Sequence, residues 1–79
     1  DGKLTRYFEF TDEKSNKFWE ITLCGDHHFV RFGRIGSKGQ EVARSFAEAR
    51  HAHADFERLI RQKVAKGYRE KKPETSIGG

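Results

Sequence analysis

The hydrophobic residues of this chain change their spacing near its middle, from every second residue to every third or fourth residue. Alternation with a period of two is typical of a half-buried β-strand, whereas a period of 3.6 is typical of an amphipathic helix. The period-two part contains four segments that we predict to be strands: residues 4–10, 17–24, 28–35 and the less regular 40–45. This order restricts the fold to a sheet followed by a helix.

The same alternation assigns side chains to the two faces of the sheet, because successive residues of a strand point in opposite directions. The sets that share a face are Leu4, Phe8 and Phe10 in the first strand, Trp19, Ile21 and Leu23 in the second, and Val30, Phe32 and Arg34 in the third. Polar and glycine-containing turns separate the strands, so neighbouring strands are expected to pair antiparallel.

A helix is predicted from Phe46 to Lys66. Ser45 followed by Glu48 has the form of a capping box, in which each side chain satisfies a free backbone amide at the helix start. Gly67 supplies a common helix stop. The predicted apolar stripe consists of Ala49, Ala52, Phe56, Leu59, Ile60 and Val64, which recur at intervals of three and four.

These elements predict an α+β fold, with an antiparallel sheet of about four strands and one C-terminal amphipathic helix packed on one face. We expect one domain over residues 4–71. Beyond Tyr68 the sequence REKKPETSIGG shows no periodicity, so we expect this segment to lack regular structure and residues 72–79 to form a mobile tail.

Size and charge restrict the function further. A chain of 79 residues leaves little room for a cleft between two lobes, so we predict a binding module and not an enzyme. The 16 Lys and Arg residues exceed the 12 Asp and Glu residues, which gives a net charge of +4 and favours an anionic partner. Cys24 is the lone cysteine, and no apolar run approaches the roughly 20 residues of a membrane helix. A soluble, cytoplasmic protein without a membrane partner is expected.

Three segments carry a family resemblance: the aromatic-rich NKFWEITL, the strand and turn VRFGRIGSKGQ, and the helical stretch that ends in KGY. In this order they resemble the WGR domain, a module of poly(ADP-ribose) polymerases and of many bacterial proteins. The resemblance extends from Asn16 to Tyr68. The Trp-Gly-Arg signature appears here as Phe32-Gly33-Arg34, which keeps a flat aromatic ring but lacks the indole donor. The resemblance implies DNA binding near strand ends or breaks, together with contacts to a neighbouring domain.

The residues themselves also favour a nucleic-acid site, on the face of the sheet that the helix leaves open. An exposed ring beside a guanidinium suits a nucleotide, with the base or sugar on the ring and the phosphate on the guanidinium. Gly33 weakens a strand interior and marks a bulge or a close approach. We predict that Phe32 stacks on the nucleotide, that Arg34 and Arg31 contact phosphate, and that Lys38 and Arg44 add electrostatic attraction for the nucleic acid. Gly33 completes the predicted site.

Two alternatives stay open for this surface. Phe32 could be an ordinary core ring with Arg34 as a surface cation, because a strand phenylalanine is more often buried than functional. The same aromatic and arginine could also anchor a protein partner, since both residue types are enriched at interface hot spots.

Other chemistries are not favoured by the sequence. His27, His28, His51 and His53 lack metal-ligand spacing, and we expect them to be surface or half-buried residues, with His27 and His28 in a turn. FVRF matches only half of an RRM signature, and the chain has one helix where an RRM needs two. We expect no metal, cofactor or small-molecule substrate.

Overall fold

The computed structural model describes residues 3–71, which form five strands and one helix. In chain order these are β1 (Lys3–Thr11), β2 (Asn16–Cys24), β3 (His27–Arg34), β4 (Gln40–Ser45), α1 (Ala49–Ala65) and β5 (Arg69–Glu70). The strands form one antiparallel sheet in the order β4-β3-β2-β1-β5. The predicted α+β fold is confirmed, with one short strand more than expected.

The additional strand β5 lies within the segment predicted to lack structure after Tyr68. Arg69 and Glu70 pair with Glu9 and Phe8 of β1, and the N–H of Lys71 donates to the carbonyl of Tyr7 at 2.9 Å. The prediction was therefore wrong for these residues, because a two-residue strand is too short to show a period. Residues 72–79, the predicted tail, lie outside the described residues.

The helix α1 covers one face of the sheet, and the core lies between them. Phe8, Trp19 and Phe32 are cross-strand neighbours, so they lie on this covered face. The core cluster consists of Phe8, Trp19 and Ile21 from the sheet and Phe56 and Ile60 from the helix. The predicted alternation of the strands is confirmed by this register.

The start of the helix differs from the prediction. Ser45 still belongs to β4, and the N–H of Phe46 donates to the carbonyl of Asp26 at 2.8 Å, so the chain continues along the sheet. The helix begins at Ala49, with Glu48 as an extended N-cap that makes no side-chain capping bond. The predicted capping box is wrong because Ser45, its first residue, pairs with His27 of β3 and therefore does not cap the helix.

The end of the helix follows the prediction. Gly67 adopts φ +108°, a conformation that favours glycine. Its N–H donates to Val64 and that of Tyr68 donates to Lys63, the two bonds of a Schellman motif. The apolar stripe is narrower than predicted, because Ala49 is exposed and Val64 is 53% exposed.

Candidate nucleic-acid interface

A groove of about 390 Å³ lies between α1 and the β3–β4 side of the sheet. The helix packs on β2 and β3, which leaves β4 uncovered. Trp19, Val30, Phe32 and Val42 line the groove from the sheet, and Leu59 lines it from the helix. Phe32 is 36% exposed, so part of the ring is accessible in this groove.

The charged residues that line the groove are all cations: Lys17, Arg44 and Lys63. The ammonium of Lys63 lies 5.5 Å from the Trp19 ring centroid and 5.2 Å from that of Tyr68. Burial is the largest cause that lowers the pKa of Lys63, and the charges of Lys66 and Lys17 lower it further. The groove therefore combines apolar walls with positive charge that its lining residues do not neutralise.

Further cations continue this positive surface past the groove. Lys17 also borders a depression with Lys14 and Arg34, and a second depression with Lys63, Lys66 and Tyr68. Within residues 3–71, none of these five cations has a carboxylate at ion-pair distance, whereas Arg6, Arg31, Arg50 and Arg58 do. We call Lys14, Lys17, Arg34, Lys63 and Lys66 the cationic rim.

Phe32 and Arg34 lie on the helix-covered face of the sheet. Phe32 is the cross-strand neighbour of the core residue Trp19, and Arg34 is that of Lys17. The prediction that they occupy the face left open by the helix is therefore wrong. Alternation showed that both share a side, but it could not show which side the helix covers. Phe32 lines the groove, and Arg34 lines the depression that it shares with Lys14 and Lys17.

Arg31 and Lys38 are not brought together with Phe32. Arg31 points to the opposite face, where its Nε donates to Glu20 at 3.1 Å and its Nη1 to the Lys38 carbonyl at 3.0 Å. Its guanidinium carbon lies 4.6 Å from the centroid of the Phe18 ring. These contacts hold the loop that contains Lys38 and give Arg31 a structural role. Arg44 does line the groove and lies over the ring of Phe46 at 5.5 Å.

Gly33 marks a close approach, but the approaching group belongs to the same chain. A Cβ at Gly33 would lie 2.8 Å from the Cα of Gly39. Ser37 closes the turn between them, because its N–H and hydroxyl both donate to the carbonyl of Arg34, at 3.0 and 2.7 Å. The glycine of the signature therefore allows the β3–β4 connection to fold tightly against the strand.

A buried histidine forms part of the groove lining. His27 and His28 both lie in β3, so the prediction that they occupy a turn is wrong. His28 is 1% exposed, so the prediction that it is a surface or half-buried residue is wrong as well. Its Nε2 lies 2.9 Å from the Asp55 carboxylate of α1, which also accepts from Arg58. Burial alone would raise the pKa of Asp55, but the hydrogen bonds from His28 and Arg58 outweigh it and lower that pKa. This pair fastens the helix to β3.

The sequence interpretation missed Lys17 and Lys63. Lys17 comes to Arg34 through the β2–β3 register, which the alternation alone did not specify. Lys63 follows Leu59 by four residues and so lies on the same side of α1. That spacing was the available signal, but lysines on a helix are usually assigned to solvent.

We compared the chain with protein families and with known proteins. The sequence profile of the WGR domain matches residues 4–75. The chain belongs to the WGR domain family. A solved protein of Bacteroides fragilis superposes on this WGR domain with a TM-score of 0.86 and 38% identity, over 87% of the chain and 20% of that protein.

Two Escherichia coli K12 proteins are also similar to this WGR domain. Protein YehF is 38% identical over 72 residues, which cover 91% of the chain and 26% of YehF. The uncharacterized protein YfeS is 37% identical over 67 residues, which cover 85% of the chain and 28% of YfeS. The chain thus spans little more than a quarter of each of these relatives.

Within residues 3–71, no cluster of three or more His, Cys, Asp or Glu side chains has an arrangement that could hold a metal ion. The helix in this part of the chain is too short and too polar to cross a bilayer.

Proposed function

We propose that this WGR domain is a non-catalytic module that binds DNA, with a preference for strand ends or breaks. The observation that carries the proposal is the position of Phe32, whose partly exposed ring lines the groove beside Lys17 and Lys63. Arg34 extends the same surface. In a bacterial cell such as those of its relatives, such a module would meet DNA in the cytoplasm.

In the proposed mechanism, the ring of Phe32 contacts the base or sugar and the cationic rim binds the phosphates. A terminal base or sugar loses a stacking neighbour at a strand end, so it can lie against Phe32 without breaking a base pair. The phosphates beside it then meet Arg34 and Lys17. Arg34 can hold one phosphate with two parallel N–H donors, which orients the strand on the sheet. Contacts of this kind position the protein without reading sequence.

Burial of Phe32 in the core was the competing interpretation, and the structure supports the proposal over it. Four aromatic or aliphatic core residues of the sheet and helix are at most 4% exposed (Phe8, Trp19, Ile21 and Phe56), whereas Phe32 is 36% exposed in the same layer. An aromatic ring exposed between cations is suited to an anionic, planar ligand.

Fluorescence anisotropy with a labelled, nicked or open-ended duplex at low and moderate salt tests the proposal. Phe32→Ala should weaken binding by about 5-fold to 150-fold, since stacking contributes about 1–3 kcal/mol per base. Arg34→Ala should weaken binding and reduce the salt dependence by about one phosphate contact. Arg61→Ala, which removes an exposed helix cation outside the groove lining, is the matched control.

A second outcome would point to the protein-interaction alternative. An apolar protein contact changes little with salt, whereas phosphate binding weakens steeply. If the folded wild-type domain does not bind DNA even at low salt, the DNA proposal is wrong. Phe32 and Val42, which is 50% exposed, would then be the residues to test in a pull-down.

A further inference from the structure

His28 belongs to the groove lining, and one nitrogen of its buried ring is unsatisfied. Its Nε2 is bonded to Asp55, but its buried Nδ1 has no hydrogen-bond partner in the described part of the chain. Leaving a buried polar atom unpaired is costly, and native proteins usually satisfy such atoms. The residue itself is one of those that line the groove.

The hydrogen bond between Nε2 of His28 and Asp55 determines whether Nδ1 can donate or accept a hydrogen bond. An ionised carboxylate only accepts hydrogen bonds, so the Nε2 that faces Asp55 carries the proton. In the neutral imidazole, Nδ1 is then an unprotonated acceptor. A ligand that satisfies Nδ1 in this neutral form presents an N–H or O–H donor.

The rest of the groove restricts the ligand further. The walls near His28 are aliphatic or aromatic, with Val30 and Val42 from the sheet and Leu59 from the helix, which suits a flat, weakly hydrated ring. Lys17, Lys63 and Arg44 suit an attached phosphate, and no carboxylate among the lining residues would repel it. A volume of about 390 Å³ falls in the range of small-ligand sites.

We propose that the groove takes one unstacked nucleobase with its phosphate, and that the base displaces the groove wall enough to uncover Nδ1 of the neutral His28 ring, which then accepts from an amino group of the base. This inference rests on the proposed function and names the ligand of the groove. Phe32 marks the position at which a terminal nucleotide would leave the base stack. The base edge enters between Val42 and Leu59, and the phosphate stays with the lysines. The domain would then distinguish an unpaired terminal nucleotide from a fully paired end.

Titration by two-dimensional NMR with free nucleotides tests this directly. Adenosine 5′-monophosphate should shift the signals of Val30, Val42 and Leu59, and that of the His28 ring nitrogen. Purine riboside 5′-monophosphate has the same ring and phosphate without the amino group, and it should bind about 5-fold to 150-fold more weakly because it leaves Nδ1 unpaired. Inorganic phosphate alone should shift the lysines and leave the groove walls unchanged.

A filled groove provides the matched variant. Val42→Trp places a bulky ring at the groove on the exposed strand β4, whereas Ala43→Trp places the same ring on the opposite face of that strand. Both positions are exposed, so both proteins should fold, as circular dichroism can verify. We expect only Val42→Trp to lose the shifts caused by adenosine monophosphate.

Duplexes separate this inference from the DNA proposal. A duplex with one unpaired terminal adenine should bind wild type more tightly than a blunt duplex, and Val42→Trp should remove the difference while it retains salt-dependent binding. Equal binding of both duplexes, with no groove shifts on adding adenosine monophosphate, would overturn the inference and leave the DNA proposal intact. Equal binding of the two purine nucleotides would overturn the role of His28. Absence of all DNA binding would instead overturn the proposed function.

Discussion

Lys17 and Arg34 face each other directly across β2 and β3, without a carboxylate at ion-pair distance from either side chain in the described residues. Like charges at directly opposed positions destabilise a sheet. Lys14 borders the same depression and adds a third positive charge. A bound phosphate would relieve this repulsion, so the arrangement favours an anionic ligand over a purely structural role.

Replacing Arg34 by glutamate should therefore stabilise the fold and abolish the proposed binding. The new carboxylate would face Lys17 and turn a repulsive pair into an attractive one, which should raise the free energy of unfolding by about 0.5 kcal/mol at low salt. Urea unfolding measures this gain, and anisotropy with DNA measures the loss. Arg61→Glu changes the net charge equally, so similar losses of binding in both variants would contradict a local role for Arg34.

Gly39 should tolerate substitution less well than Gly25. Both have positive φ, +73° and +62°, so an alanine at either is strained by about 1 kcal/mol. A Cβ at Gly39 would also lie 2.7 Å from Cζ of Phe18 and closer still to the carbonyl oxygen of Phe32, whereas a Cβ at Gly25 meets nothing within 4 Å. Gly39→Ala should cost about 1–3 kcal/mol more than Gly25→Ala in urea unfolding. Equal losses would show that the turn can move away from Phe18.

The His28–Asp55 contact should make stability fall in acid. Despite the opposing effect of burial, the hydrogen bonds from His28 and Arg58 lower the pKa of Asp55 in the folded protein. The unfolded chain therefore takes up the proton first, at about pH 3.9, and the stabilisation present above that pH is lost as pH falls towards the folded pKa. Asp55→Asn should flatten the dependence of the unfolding free energy on pH in this window.

Arg58→Gln should weaken, but not remove, the dependence of the unfolding free energy on pH that Asp55 causes in acid. It removes one donor to Asp55 and leaves the His28 bond in place. The slope below pH 4 should lie between those of wild type and Asp55→Asn. A slope as steep as that of wild type would assign the effect to His28 alone.

The hydroxyl of Tyr7 should remain protonated at pH values above those at which tyrosine usually ionises. Burial and the hydrogen bond of its hydroxyl to Glu9, 2.8 Å long, raise its pKa to about 12. Because the unfolded chain ionises near pH 10, stability should be intact below about pH 10 and decline as pH rises towards 12. Absorbance titration of the phenolates should show this late step, and Tyr7→Phe should remove it. A single step near pH 10 for all tyrosines would contradict the burial of this hydroxyl.

The strands and their faces could be predicted because alternation reports directly which side chains share a side. That rule placed Phe32 with Arg34 correctly. It failed to place them on the helix-covered face, because the choice of face depends on the path that the chain takes after Ser45. The hydrogen bond from the Phe46 N–H to the Asp26 carbonyl lies on that path, and this backbone contact has no side-chain signature. Lys17 was missed for a related reason, since cross-strand partners depend on register.

The two faces of the sheet differ in charge. Strand residues on the helix-covered face include four cations and one carboxylate: Arg6, Lys17, Arg34, Arg44 and Glu70. Those on the opposite face balance, with three of each: Lys3, Arg31 and Arg69 against Glu9, Glu20 and Glu41. This imbalance produces an electric dipole moment across the sheet. A polyanion would turn the approaching domain before contact, so encounters should be faster and more uniformly oriented than a net charge of +4 alone would produce.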